Sequence, residues 1–189
     1  MEPMEILLQH IRTRVQITKE IEEAILAAGE VKQLTKNDQL LESGRTARYL
    51  YFIGQGAART YYYHNGKDVT SWIYGENFFV TAWKSFISQT PAHDYIELLE
   101  DSEVYAISRE ALNELYDTYP AMQKFGRLLV EEQIAFIDVF YKGFMFMSAR
   151  EKYQLLLTQF PGVIQRVNLG YIASFLGITQ ETLSRIRRK

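Results

Sequence analysis

The sequence of 189 residues contains no cysteine, only four prolines and only three histidines. Without cysteine the chain cannot form disulfides, thiolate zinc sites or cysteine-ligated iron–sulfur clusters. The histidines, His10, His64 and His93, are scattered singly rather than at metal-ligand spacing, so we predict no metal and no other cofactor. Runs of 18 apolar residues and the features of a signal peptide are also missing. We therefore expect a cytoplasmic protein without a membrane span.

Charge is present in nearly balanced amounts, with a formal net charge of −2, but it is unevenly distributed. Residues 142–189 hold eight Lys and Arg against two acidic residues, a net charge of +6, whereas the rest of the chain has a net charge of −8. A basic segment attached to an acidic one indicates that any attraction to a phosphate backbone is confined to the C-terminal end.

Residue periodicity predicts an α+β protein. Two N-terminal helices are expected at 4–12 and 20–28, and further helices at 109–116, 120–147 and 149–158. Between them the period changes to two, and turn residues recur, with Asn65-Gly66 as a strong hairpin signal. Short strands are predicted at 31–34, 39–41, 49–53, 57–63, 68–74, 95–100 and 103–107. Many short strands with regular turns favour a sandwich or barrel over alternating βαβ units.

The predicted helix 120–147 is apolar on two sides. One stripe has 4-3-4-3 spacing and a second stripe runs parallel to it. The first stripe consists of Val130, Ile134, Ile137, Tyr141 and Phe144. One face can pack on the chain's own β-domain, whereas the other needs a second surface, for which the same helix of another subunit is the simplest source. The alternative is a helix buried on all sides inside a monomer.

The C-terminal end begins with a capping box, Ser148 to Glu151, where we place a domain boundary. A short strand is predicted at 163–167. Leu169 to Ile186 then reads as two short helices broken at Gly177, the first capped by Asn168 and the second by Thr179. The second helix exposes a polar, basic face, which is typical of a helix-turn-helix that inserts into the major groove. An ordinary helical hairpin is the alternative.

This order of parts resembles the Crp/Fnr family of bacterial transcription regulators, most specifically in IASFLGITQETLSRIRRK and less so in LLEDSEVYAIS. The ending ETLSRIRRK is similar to the short Bacteroidetes regulators of this family. The resemblance implies a sensor jelly-roll β-barrel of the cyclic-nucleotide-binding type at 1–119, a dimerisation helix at 120–147 and a winged-type helix-turn-helix at 148–189. It also implies a homodimer that binds a two-fold-symmetric DNA site, with RNA polymerase and a small-molecule effector as further partners.

The resemblance assigns base reading to Gln180, Glu181 and Arg185, whose side chains suit adenine, cytosine and guanine edges respectively. Short hydroxyl side chains near the helix N-terminus, and basic ones at its end, are candidates for phosphate contacts. The full set of predicted DNA-binding residues is Thr179, Gln180, Glu181, Thr182, Ser184, Arg185 and Arg188. Arg166 is a further candidate for a phosphate contact.

The predicted effector pocket departs from the family's nucleotide-binding members. Those members have a Gly-Glu turn that holds the ribose and, about a dozen residues later, an Arg that grips the cyclic phosphate. Gly75 and Glu76 match the turn, but His93 stands near the arginine position, with Asp94 beside it. Neutral imidazole offers no bidentate fork, and an acidic neighbour repels an anion. We therefore expect an effector other than cyclic AMP or cyclic GMP.

Three alternatives remain at this point. A pocket shaped by Trp72, Trp83 and Tyr95 could hold an apolar or aromatic effector. A cupin-type enzyme would need a cluster of His and carboxylate ligands, which the sequence does not offer, and no catalytic residue is predicted. A ligand-sensing or protein-interaction module that does not bind DNA specifically is the alternative to the regulator.

Overall fold

The structure, a computed structural model, describes residues 3–188 except the side chains of Pro3, Val139 and Lys142. Residues 1, 2 and 189 of the predicted domains lie outside the described residues. The helices are α1 (Pro3–Arg12), α2 (Lys19–Ala28), α3 (Trp83–Ser88), α4 (Arg109–Thr118), α5 (Pro120–Phe146), α6 (Ala149–Gln159), α7 (Val163–Arg166), α8 (Leu169–Leu176) and α9 (Gln180–Arg187). Among the described residues, no helix is long and apolar enough to cross a bilayer.

Eight strands form two antiparallel sheets; seven of them correspond to the predicted strands. The strands are β1 (Gly29–Leu34), β2 (Gln39–Leu41), β3 (Tyr49–Gln55), β4 (Ala58–His64), β5 (Lys67–Tyr74), β6 (Phe79–Val80), β7 (Tyr95–Leu98) and β8 (Ser102–Ser108). One sheet has the order β1-β8-β3-β6 and the other β2-β7-β4-β5. Their inward side chains, including Phe52, Val104 and Leu98, meet in one fully buried core. We refer to the two sheets together as the barrel.

Two turns show how the sequence determines the connections between strands, one within the β4–β5 hairpin and one between the two sheets. Asn65 and Gly66 join β4 to β5 with φ angles of 50° and 74°, which are the left-handed values that a two-residue turn requires. Gly56 has φ of +111°, and a Cβ there would lie 2.1 Å from Oγ of Ser102. A side chain at position 56 is therefore excluded both by the backbone angle and by the facing strand.

The long helix α5 starts with Pro120 at its first turn, as predicted. Leu129 is buried in the core, and Phe136 and Phe140 pack edge-on against Trp72 of β5. The opposite stripe is open at four of its five positions, because Ile134 is 62% exposed and Val130, Ile137 and Tyr141 are 46–65% exposed. The alternative, a helix buried on all sides inside a monomer, is therefore excluded.

The last quarter of the described chain is helical. The capping box is confirmed, because Ser148 Oγ accepts from the Glu151 N–H while the Glu151 carboxylate accepts from the Ser148 N–H. The predicted strand at 163–167 is wrong, because Val163–Arg166 forms helix α7. Val163 and Val167, four residues apart, lie on one side of this turn and are both buried. No β-strand occurs between residues 148 and 188, so a β-wing is not among the described elements.

The helices α6 to α9, which we call the C-terminal helices, pack on the outside of the barrel. Their core joins Leu156, Phe160 and Ile172 to Ile73 and Leu99 of the barrel. Across the same contact, the Thr70 N–H of β5 donates to Ser174 Oγ of α8 at 2.9 Å. The C-terminal helices are therefore held by the barrel as well as by each other.

Candidate nucleic-acid interface and effector site

Helices α8 and α9 are joined by a three-residue turn whose local chemistry matches the sequence prediction. The Asn168 side chain accepts from the Gly170 N–H at 2.7 Å and caps α8. Gly177 ends α8 in the left-handed conformation, with φ of 68°. Thr179 Oγ1 then accepts from the Thr182 N–H at 3.2 Å and caps α9. Both helix starts and the break between them are therefore determined locally.

The inner face of this helix pair is fully apolar. Ile172, Leu176 and Leu183 have no exposed surface, and Ala173 lies at the crossing with 2% exposure. Gly170 makes room for α9, because a Cβ there would lie 2.6 Å from Nε2 of Gln180. This burial fixes the rotation of α9, so its remaining side chains face outward as one set.

The outward face of α9 carries the predicted DNA-binding residues. Thr182 is half-buried, while the other members are exposed: Thr179, Gln180, Glu181, Ser184, Arg185 and Arg188. Arg185 donates to Thr182 Oγ1 at 3.3 Å. Within residues 3–188, no carboxylate pairs with the guanidinium groups of Arg185, Arg187 or Arg188. The face therefore combines hydrogen-bonding side chains with cations available to an external anion.

Arg166, a predicted phosphate contact, is occupied inside the protein. Its guanidinium donates to both oxygens of Glu76, at 2.5 and 3.1 Å, and also to Glu100. Glu76 additionally accepts from the Gly56 N–H at 3.1 Å. Burial opposes ionisation of Glu76, but these hydrogen bonds outweigh it, so the pKa of Glu76 lies below its ordinary value. The ion pairs connect the C-terminal helices to the barrel.

The predicted effector residues do not come together in one cavity. Gly75 and Glu76 line a cavity of about 340 Å³ beside α5 and the C-terminal helices. His93 lines a separate hollow of about 320 Å³ with Lys84, Ser85 and Asp94, in which no arginine takes part. The aromatic pocket is also divided, because Trp72 lines the first cavity whereas Trp83 lines a groove beside α4 and α5. Tyr95 stacks instead on Tyr61, with ring centroids 4.9 Å apart.

Sequence reasoning missed Arg59, the largest fully buried side chain. It donates to Glu97 at 2.7 Å and to both oxygens of Asp68 at 2.6 Å. Its guanidinium also lies over the rings of Tyr61, at 3.9 Å, and of Tyr171 in α8, at 3.5 Å. An arginine at the start of a run of strand tyrosines was the available signal, but its partners come from distant parts of the chain.

Comparisons with known proteins agree with this architecture. Residues 31–119 match the sequence family described as the cyclic nucleotide-binding domain. No curated protein sequence matches the chain. Among solved structures, FixK2 from Bradyrhizobium japonicum is similar with a TM-score of 0.71 and 15% identity, over 85% of this chain and 83% of that one.

Two further structures extend the comparison. The c-di-GMP responsive global regulator CLP from Xanthomonas campestris is similar with a TM-score of 0.69 and 16% identity, over 90% of each chain. A Crp/Fnr-family transcriptional regulator from Eubacterium rectale gives 0.67 and 15%, over 91% of this chain and 82% of that one. The chain thus has the fold of regulators of this kind, with a cyclic nucleotide-binding type of domain at its centre. These likenesses support the Crp/Fnr resemblance.

Proposed function

We propose that the protein is a Crp/Fnr-type transcription regulator, not an enzyme, that binds a specific DNA sequence through α9. The observation that carries this proposal is the outward face of α9, where exposed guanidinium groups share a surface with amide, carboxylate and hydroxyl groups and have no carboxylate partner among the described residues. Arginine can donate two hydrogen bonds to guanine, and such contacts dominate major-groove readout. Because Leu183 on the inner face of α9 is fully buried and Ile186 is half-buried, these side chains point away from the protein on a rigid support.

Roles within α9 follow from position and chemistry. Gln180, Glu181 and Arg185 are proposed to read base edges, since each offers the donor or acceptor pattern of one base. Thr179 and Thr182 lie at the helix N-terminus, where backbone N–H groups favour phosphate, and Ser184 follows in the next turn as a further proposed phosphate contact. Thr179 also caps the helix, so its loss would disturb the fold as well as the contact. Arg188 is proposed to bind the DNA backbone.

The exposed stripe of α5 is proposed to pair with the same helix of a second subunit. Val130, Ile134, Ile137 and Tyr141 are 46–65% exposed and keep 4-3-4 spacing along one face. In a two-stranded coiled coil this spacing allows two copies of the same face to pack against each other. A second copy of this chain is therefore the partner that we propose for it. Phe144, which the sequence placed in this stripe, packs inward against Phe140 and Phe175 instead. Such a homodimer would present two α9 helices to a two-fold-symmetric site.

The effector is proposed to differ from cyclic AMP. Glu76 is already bound by Arg166, so a ribose would have to displace an internal ion pair to reach it. The hollow around His93 contains Asp94 and no arginine, and therefore lacks a bidentate group for a cyclic phosphate. Both observations favour an effector that binds elsewhere or with other chemistry.

DNA binding can be tested by selecting bound duplexes from a random library with the full-length protein, and then measuring affinity against salt. We expect an enriched two-fold-symmetric site, unaffected by cyclic AMP. Arg185→Ala should weaken binding to that site by about 5–150-fold, the equivalent of one bidentate base contact. Arg48→Ala, which removes an exposed barrel arginine, is the matched control and should leave the affinity unchanged.

Three other results would contradict these expectations. A selection without any enriched sequence would favour the alternative, a sensing or interaction module that does not bind DNA specifically. An equal loss of affinity in both arginine variants would mean that charge alone holds the DNA. Tighter binding with cyclic AMP would show that the predicted pocket residues suffice for the nucleotide.

A further inference from the structure

The cavity beside Glu76 is a three-way junction in the fold, and we call it the junction cavity. The barrel supplies Trp72 and Phe78, α5 supplies Phe136 and Phe140, and the C-terminal helices supply Phe160 and Phe175. Its volume of about 340 Å³ lies within the range of small-molecule sites. Its walls thus come from each of the three parts of the chain.

Aromatic rings dominate this cavity and are not fully packed against each other. The Trp72 ring meets the rings of Phe136, Phe140 and Phe175 edge-to-face, with centroids 5.9, 4.9 and 5.5 Å apart. All four side chains are only half-buried. An aromatic ring entering the cavity would therefore find ring edges and faces with surface still to cover.

One cation at the cavity has no acidic partner. Lys152 of α6 is half-buried, and its Nζ lies 4.4 Å from the ring centroid of Phe144. In the described part of the chain no carboxylate pairs with it. Glu76 lines the same cavity, but its carboxylate is already bound by Arg166, a guanidinium that it shares with Glu100. The ammonium group of Lys152 is thus the charge available to an occupant.

We propose that the junction cavity binds an organic anion built on an aromatic ring system, of the aromatic carboxylate class. The ring would lie against Trp72 and the phenylalanines, and the carboxylate would pair with Lys152. Because the walls belong to the barrel and to the C-terminal helices, an occupant contacts both and strengthens their association. Binding itself stands independently of DNA, whereas its regulatory consequence rests on the proposed DNA-binding function.

The two tryptophans of the chain allow a direct test, since Trp72 lines the junction cavity and Trp83 lines the groove beside α4. Each is made the sole tryptophan by Trp83→Phe or Trp72→Phe, and the protein is titrated with anilinonaphthalenesulfonate. We expect saturable energy transfer to the probe from Trp72, at one probe per chain. Naphthoate should displace the probe at least tenfold better than naphthamide, its neutral counterpart.

Charge at the cavity is tested separately. Lys152→Met should weaken naphthoate binding about tenfold or more, as expected for a lost charge-assisted contact. Lys152→Glu should abolish binding, whereas Lys124→Glu, which reverses an exposed lysine elsewhere on α5, should not change it. Leu155→Phe narrows the cavity without altering charge and should also weaken binding. Circular dichroism would verify that each variant is folded.

Three results would overturn the proposal. Energy transfer from Trp83 with none from Trp72 would place the site in the other groove. If naphthoate and naphthamide displaced the probe equally well, the negative charge would not contribute to binding. A change of Trp72 emission with protein concentration alone would mean that a second chain covers the cavity. None of these measurements contains DNA, so a failure of the proposed DNA binding would leave their outcome intact.

Discussion

Replacing Arg59 tests whether the buried ion cluster connects the barrel to α8. Arg59 is 2% exposed and its guanidinium bonds Glu97 and Asp68. Burial opposes its charge, but the two carboxylates outweigh that effect and raise its pKa, so the group stays ionised at every accessible pH. In Arg59→Met the aliphatic volume is largely kept while the charge is lost.

The size of the expected loss of stability depends on the two carboxylates that remain after the guanidinium is removed. Removing one partner of a buried pair costs about 3–5 kcal/mol, because the other charge is left uncompensated. The side chain of Asp68 is a third exposed and can regain water, whereas that of Glu97 is only 10% exposed. Loss of the guanidinium between Tyr61 and Tyr171 removes about 1 kcal/mol more. Since Asp68 can regain water, the lower end of the first range applies, and together the two effects give an expected loss of about 4 kcal/mol in the free energy of unfolding.

Urea unfolding followed by circular dichroism measures this loss. The double variant Arg59→Met with Glu97→Gln should regain about 1 kcal/mol or more, because it no longer buries an unpaired charge. Arg12→Met is the control, since the ion pairs of Arg12 lie at the surface and contribute little. A loss below about 1 kcal/mol for Arg59→Met, or a double variant no more stable than the single one, would refute the reasoning.

Three other predictions test the dimer face, a buried histidine and a turn. Ile134→Glu should convert a dimer to monomers in analytical ultracentrifugation, whereas Leu26→Glu, an exposed leucine on α2, should not. Burial and a nearby arginine lower the pKa of His10 to about 4, so the unfolded chain gains a proton below about pH 6.5 while the folded one stays neutral. Stability should therefore fall by up to about 2 kcal/mol from pH 7 to pH 5 in urea unfolding, less the part that solvent screens at this half-buried group, and His10→Phe should remove this slope. Gly56→Ala should cost about 2–4 kcal/mol in the same assay, but Gly66→Ala, which meets no neighbour, only about 1 kcal/mol.

Much of the fold could be predicted from local sequence patterns. The seven predicted strands, the Asn65-Gly66 turn and the capping box at Ser148 are confirmed, because alternation, positive φ and side-chain caps are encoded within a few residues. The short elements α3 and β6 were missed. A two-residue strand and a six-residue helix are too short to show a period.

The errors share one physical origin, namely contacts between distant segments. The apolar residues at 163–167 fit the pattern of a strand and the i, i+4 spacing of a helix equally well. In the structure the segment is helical, because this conformation buries both Val163 and Val167. Phe144 was assigned to the open stripe of α5 but turned inward, because Phe175 of α8 lies beside it. In both cases the packing partners lie in other elements, so the sequence of a single helix does not reveal them.

The candidate DNA-binding face was more accessible to prediction than the effector site. A helix periodicity fixes which side of α9 is buried, and the structure bears out that burial pattern. The surroundings of Glu76 depend instead on Arg166, 90 residues further along the chain. A resemblance in the Gly75-Glu76 turn could therefore indicate a carboxylate but not the partner that occupies it.

The position of Arg166 gives two kinds of ligand in the junction cavity opposite effects on the C-terminal helices, depending on whether the ligand binds Glu76 or Lys152. A ligand that needs the Glu76 carboxylate must displace Arg166, and so removes an ion pair that holds α7 against the barrel. A ligand that binds Lys152 leaves that pair intact and adds contacts to both walls. The first kind of ligand should expose the C-terminal helices to proteolysis, and the second should protect them. The direction of that change in proteolysis would therefore reveal whether the effector binds the Glu76 carboxylate or the Lys152 ammonium.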